Sequence, residues 1–173
     1  MPVGRHGTSD PAALAAALID ALRARGWRLA TAESCTGGGV AHAVTSVAGS
    51  SDAFERGFVT YSNEAKVEML GVPAATIERD GAVSESVAVA MAEGALRASR
   101  ADVAVSITGV AGPGGGTPAK PVGTVCFAWA TRDGRRVVRT HRLPGDRASV
   151  RAASVLIALD GALELVGAAA TPG

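Results

Sequence analysis

Aromatic side chains make up only 3% of the 173 residues, and the formal net charge is +1. A protein that grips nucleic acid needs a basic field and rings on which bases stack, and this chain offers neither. It also lacks any run of about 18 uninterrupted apolar residues, the length that crosses a bilayer. Its first residues, MPVGRHGTSD, lack the apolar segment of a secretory signal, so a cytoplasmic setting is expected. Cysteine is scarce too. Cys35 and Cys126 form no CxxC pair and have no histidine pattern beside them, which argues against a disulfide framework and a zinc site. No metal or other cofactor is expected.

Lysine is the most informative shortage. Fifteen of the seventeen basic residues are arginine, and the two lysines are Lys66 and Lys120. Arginine cannot lose its proton in a protein, whereas a partly buried lysine can have its pKa lowered and serve as a general base. Lys66 lies in YSNEAK beside Tyr61, the one tyrosine of the chain.

What is present is the composition of a globular domain. Apolar residues are 47% and charged residues 19%, with abundant Ala and Gly that favour close packing of small side chains. The length suits one domain, expected over residues 10–167, with flexible segments at 1–9 and 168–173. Asp10 and Pro11 signal the start of a helix that Gly26 ends, and Leu14, Leu18, Ile19 and Leu22 recur at helical spacing. Strands are expected at Arg28 to Ala32, Gly57 to Tyr61, Asp102 to Thr108 and Gly123 to Thr131. Helical patterns separate them at Gly38 to Val47, Asn63 to Leu70 and Glu85 to Ser99. Asp133-Gly134 lies between two β-rich runs, so Val125 to Ala130 and Arg136 to Arg142 should pair as an antiparallel hairpin. Asp146 caps a last helix with Val150, Val155, Leu156, Leu159 and Leu163 on one side. The expected fold is therefore α/β, a mixed sheet sandwiched by helices in a single domain.

Three segments can carry chemistry. In TAESCTGGG, Thr31 to Gly39, a strand ends in a hydroxyl-bearing turn and a helix begins at glycines. Such a helix N-terminus stabilises an oxyanion or a phosphate, and glycine lets a ligand approach the backbone. Close helix packing alone would also explain the glycines. No histidine is well placed to serve a serine nucleophile there: His6 is near the N-terminus, His42 is on the following helix and His141 is near a hairpin strand end. YSNEAK is the second segment, with Tyr61 and Lys66 able to face one cleft. The third, TGVAGPGGGTPAKPVG, has backbone donors that could cradle phosphate or sugar, with a disordered flap at Gly114 to Pro121 as the competing reading. Thr108 and Gly109 at its start are candidate ligand contacts. Arg147 and Arg151, one turn apart, could add an anion fork; a solvated helix face is the alternative.

TAESCTGG, FERGFVTYSNEAK, GAVSESVA, SITGVAGPGGG, KPVGTVCFAW and GDR occur in this order along the chain. Together they resemble the CinA C-terminal domain family, from about Leu14 to Val166. The resemblance implies a nicotinamide-nucleotide amidase that converts nicotinamide mononucleotide to nicotinic acid mononucleotide and ammonia in pyridine nucleotide salvage. The partner would be a small-molecule pyridine nucleotide. By that likeness Ser34 is the nucleophile and Lys66 with Tyr61 moves the proton, directly or through the phenol. Backbone N–H groups near Thr36, Gly37 and Gly38 would hold the oxyanion, and Glu33 would orient the turn or a ligand. Cys35 is intrinsically more nucleophilic, but an adjacent residue in an extended segment points to the opposite side. The pyrophosphatase domain that precedes this one in longer family members is absent here, so that activity is not expected. Ala-rich apolar helices favour a homo-oligomer. The competing classes are a non-catalytic nucleotide-binding module and an oligomerisation domain, against which the lone-domain length argues.

Overall fold

The computed structural model describes residues 6–168. The expected flexible ends, 1–9 and 168–173, fall largely outside the described residues. Inside them, His6 Nδ1 lies 2.6 Å from Asp160 Oδ1.

The first helix, α1 (Pro11–Arg25), is bounded as the capping rules require. Asp10 accepts a hydrogen bond from the Ala12 N–H, and Gly26 ends the helix at φ 66°. Five strands follow: β1 (Leu29–Glu33), β2 (Phe54–Val59), β3 (Val103–Gly109), β4 (Thr124–Thr131) and β5 (Arg136–Arg142). They form one sheet in the order β2-β1-β3-β4-β5. β1 is parallel to β2 and β3, while β3/β4 and β4/β5 are antiparallel. The sheet is thus mixed, with the hairpin that Asp133-Gly134 signals.

The two sheet faces differ in side-chain size. On one, Leu29, Val103, Val105, Ile107, Val125, Phe127 and Trp129 pack against α1, α2 (Gly39–Thr45) and α6 (Arg147–Gly167). On the other, Ala30, Ala32, Ala104, Cys126, Ala128 and Ala130 meet α3 (Asn63–Leu70), α4 (Ala74–Asp80) and α5 (Glu85–Arg97). The alternation of large and small residues is the period-two pattern of strands buried on both faces. It lets α5 approach so closely that Ser106 Oγ donates to the Ala88 carbonyl at 2.5 Å. Among the described residues no helix is long and apolar enough to cross a membrane.

The structure departs from expectation in three places. Helix α4, over AATIERD, was not anticipated, because seven residues carry too little periodicity to register. Strand β2 starts three residues and ends two residues earlier than expected, so Tyr61 lies beyond its end in the connection to α3. On α6 the expected stripe is only partly right: Val150 and Leu159 are buried, whereas Val155, Leu156 and Leu163 are half-buried. Small residues including Ala153, Ala158, Gly161 and Ala162 complete the buried face. Trp129 dictates this choice, since its ring would come within 2.4 Å of a Cβ at Gly161 and its Nε1 donates to the Ala158 carbonyl at 2.9 Å.

The topology also places a crevice at one end of the parallel strands. The chain leaves β1 toward β2 on one side, while β3 lies on the other and leads away to β4. A crevice opens at the carboxyl ends of parallel strands where connections diverge in this way. Glu33 is level with Ile107, so both strands end together.

Contact between α3 and α5 depends on Gly94, where an added Cβ would sit 2.0 Å from the Leu70 carbonyl oxygen. Backbone cannot rotate aside as a side chain can. Gly94→Ala should therefore lower stability by about 1–3 kcal/mol, an overpacking cost that outweighs the ~1 kcal/mol of helix propensity gained. Urea unfolding followed by circular dichroism reads the sign.

Candidate active site

Ser34 is the first residue after β1, held there by donating its N–H to the Ile107 carbonyl at 2.9 Å. Its side chain faces the crevice, and Oγ lies 3.1 Å from Lys66 Nζ. Lys66 reaches Ser34 from the second turn of α3, a helix capped by Ser62, whose hydroxyl accepts from the Ala65 N–H. The lysine is 1% exposed, and Nζ also donates to the Thr60 and Tyr61 carbonyls at 2.9 and 3.2 Å. Burial pushes this amine below the ordinary lysine range, with the neighbouring Cys35 thiol acting weakly the other way.

The surrounding cleft has a volume of about 300 Å³, at the small end of ligand pockets. Ser34, Cys35, Tyr61, Lys66, Thr108, Gly109 and Arg147 line it, with Val110, Ala111, Gly112, Gly114 and Gly115 of the expected glycine-rich segment and three residues not anticipated: Asn63, Ala82 and Val83. These three lay inside the YSNEAK and GAVSESVA motifs, where nothing in their chemistry distinguished them. Arg147 is the permanently charged residue of the lining, so the mouth of the cleft carries positive charge. Among the described residues no three His, Cys, Asp or Glu side chains are grouped to hold a metal. His6, His42 and His141 all lie outside this lining.

Four of the expected ligand contacts belong to the turn and not to the cleft wall. Glu33 is wholly buried; its carboxylate accepts from Thr36 Oγ1 at 2.7 Å and from the Val40 and Ala41 N–H groups at 2.8 and 3.1 Å. Helix α2 has glycine at its N-cap and no side-chain cap there, so Glu33 occupies the anion-binding end of the helix from inside. Gly37 and Gly38 do adopt positive φ, 58° and 97°, as a tight turn demands. However, the Gly37 N–H donates to the Ser34 carbonyl at 3.0 Å and is spent within the turn. Among the described residues the N–H groups of Cys35 and Thr36 have no acceptor.

Tyr61 and Lys66 line the same cleft, but the phenol turns away from the pair. The Tyr61 hydroxyl accepts from Arg147 Nη2 at 3.0 Å, and only the Tyr61 backbone carbonyl meets Lys66. A second Arg147 nitrogen donates to the Gly112 carbonyl at 2.9 Å, so this exposed guanidinium bridges the mouth of the cleft. The expected fork with Arg151 does not form. Arg151 instead donates to the Cys35 and Thr36 carbonyls at 3.1 and 3.4 Å, because its position places it beside the turn. Thr108, another expected contact, is fixed by donating to the Ala82 carbonyl at 2.8 Å. The segment from Gly114 to Pro121 is not a loose flap: Thr117 and Lys120 close a turn, Lys120 Nζ donates to the Asp80 carbonyl, and Arg142 donates to the Ala119 carbonyl. Lys120 is thus a structural lysine.

Fold and site together define a mixed-sheet α/β domain with a serine and a buried lysine paired in a ligand-sized crevice. The chain belongs to the CinA C-terminal domain family, whose model matches residues 11–166. It is 59% identical over 139 residues to the nicotinamide-nucleotide amidohydrolase PncC of Escherichia coli K12, covering 80% of this chain and 84% of that one. It is 54% identical over 143 residues to the protein of the same name from Enterobacter agglomerans, covering 83% and 87%. The crystal structure of the competence/damage inducible protein CihA from Agrobacterium tumefaciens superposes with a TM-score of 0.89 at 45% identity, covering 91% of this chain and 96% of that one.

Cys35 follows Ser34 and is the stronger nucleophile in principle, but it packs in the apolar core at 5% exposure. Burial pushes its thiol up to about 11. Iodoacetamide at pH 8 should therefore leave Cys35 unmodified in the folded protein and alkylate it after denaturation. Mass spectrometry of the tryptic peptide distinguishes the two states; rapid labelling of the native protein would make the thiol a competing nucleophile.

Proposed function

We propose that the protein is an amidohydrolase that deamidates nicotinamide mononucleotide to nicotinic acid mononucleotide and ammonia, in pyridine nucleotide salvage. The observation that carries this reading is the 3.1 Å approach of Ser34 Oγ to the buried Lys66 Nζ inside the cleft. The names of the 59% and 54% identical relatives supply the substrate.

A neutral amine has two N–H donors and one lone pair. The Thr60 and Tyr61 carbonyls at 2.9 and 3.2 Å suit the donors, which leaves the lone pair for the Ser34 hydroxyl. Ser34 Oγ attacks the carboxamide carbon while its proton passes to Lys66. The Cys35 N–H, next to the nucleophile on the cleft wall, and the Thr36 N–H stabilise the oxyanion. The Lys66 ammonium then protonates the amide nitrogen; the C–N bond breaks, and ammonia leaves an ester on Ser34. Water attacks that ester as Lys66 takes its proton. Collapse of the second intermediate returns a proton to Ser34 Oγ and frees the carboxylate. Transfer is direct, since the Tyr61 phenol is engaged by Arg147. Arg147 and the backbone donors of the loop after β3 hold the phosphate, and the remote binding energy positions the amide. The expected cytoplasmic setting and homo-oligomer are carried with this reading, although the chemistry requires neither.

Purified protein should release ammonia from nicotinamide mononucleotide far faster than from free nicotinamide. Ser34→Ala should lose turnover by a factor on the order of 10⁴ or more with an unchanged circular dichroism spectrum. Undiminished activity in that variant would remove Ser34 from the mechanism.

Lys66→Arg keeps the charge but cannot accept the serine proton, so kcat should fall at least ~10²-fold with little change in KM. A countercharge role predicts near-normal turnover. In the wild type, kcat/KM should rise with pH as the amine loses its proton, since the neutral form is the base. Because burial lowers the Lys66 pKa, that limb should be centred below lysine's reference of about 10.4. The limb should be missing from Lys66→Arg.

A further inference from the structure

Arg151 stands outside the cleft lining, yet its side chain reaches from α6 to two consecutive carbonyls of the nucleophile turn. Nε donates to Cys35 O at 3.1 Å and an Nη donates to Thr36 O at 3.4 Å. Glu33 grips the same turn from within, through Thr36 Oγ1 and the first N–H groups of α2. The C=O and N–H of a trans peptide are antiparallel. Holding the Cys35 carbonyl toward α6 therefore turns the Thr36 N–H away from α6, and the Gly37 N–H bonded to the Ser34 carbonyl sets the Cys35 N–H in the same manner. A cation on a peptide carbonyl also polarises the unit and strengthens its N–H as a donor.

We propose that Arg151 is a positioning residue for oxyanion stabilisation: by clamping the Cys35 carbonyl it fixes and polarises the Thr36 N–H, and by clamping the Thr36 carbonyl it steadies the Gly37 N–H that sets the Cys35 N–H beside Ser34. The inference rests on the serine amidohydrolase reading above. Arg151 touches neither the substrate nor Lys66 in this role. Its loss should weaken an interaction that develops only as charge builds on the attacked carbonyl oxygen, which lowers kcat and leaves KM in place.

The test measures ammonia release from nicotinamide mononucleotide by wild type, Ser34→Ala, Arg151→Ala, Arg151→Gln and Arg151→Lys, with circular dichroism melts of each. In Arg151→Ala, kcat should fall about 10- to 100-fold, less than the loss of a direct oxyanion donor at its largest. KM should stay within about twofold, as for a contact made only in the transition state. The pH limb of the Lys66 amine should not move, and Arg151→Lys, which can still reach one carbonyl, should recover part of kcat. Wild-type kcat in Arg151→Ala overturns the proposal. So does a raised KM at unchanged kcat, which would make Arg151 a substrate ligand. If Arg151→Ala does not fold, Arg151→Gln carries the test on the same criteria. Wild type and Ser34→Ala separate the levels: no ammonia from the wild type removes the amidohydrolase reading, turnover in Ser34→Ala removes the serine nucleophile on which the clamp rests, and a dead Ser34→Ala beside a fully active Arg151→Ala removes only the clamp.

Discussion

The carboxylate of Glu33 has no access to solvent and accepts hydrogen bonds from a hydroxyl and two backbone N–H groups. A buried polar group is tolerated only where such donors replace water. Here the donors belong to the start of α2, whose glycine N-cap brings no side chain of its own. One residue thereby joins the end of the central parallel strand to the start of the next helix, and the five-residue turn between them has little freedom left. Ser34 sits on that turn. Its direction into the cleft depends on the internal cap before any property of the hydroxyl matters.

The second constraint is the burial of Lys66. An ammonium in this position would forfeit its hydration for backbone carbonyls and one hydroxyl, which is why the pKa falls. The carbonyls come from the connection between β2 and α3, and that connection is placed by the Thr60 N–H donating to the Glu33 carbonyl at 2.8 Å. Ser34 and Lys66 are therefore not independent: both hang from the last residue of β1. Arg147 and the loop after β3 close the same crevice from other elements, so its walls meet at the point where the strand connections diverge.

Much of this was legible in the residues. Helix limits followed from Asp10, Gly26 and Asp146, because capping is an interaction between groups only a few positions apart. The hairpin followed from Asp133-Gly134 for the same reason. The scarcity of lysine directed attention to Lys66, and the strand-to-helix turn to Ser34. The register of β2 and the short helix α4 were less legible, since a six- or seven-residue segment has too few apolar positions to separate one period from another.

Roles that depend on direction needed the tertiary structure. Gly37 and Gly38 lie in the expected turn, but sequence cannot reveal that the Glu33 carboxylate faces inward and consumes the N-terminus of α2. Arg147 and Arg151 are one turn apart and chemically identical; only the packing of α6 on the sheet sends one across the cleft mouth and the other to the carbonyls behind Ser34. Tyr61 likewise reaches an arginine 86 residues away and not the lysine five residues on. The sequence by itself determined the elements, their caps and the reactive residue types, because these rest on contacts within a few positions. Which donor meets which acceptor was decided by the fold, because hydrogen bonds have a length of about 3 Å and an angle, and long-range packing alone sets both.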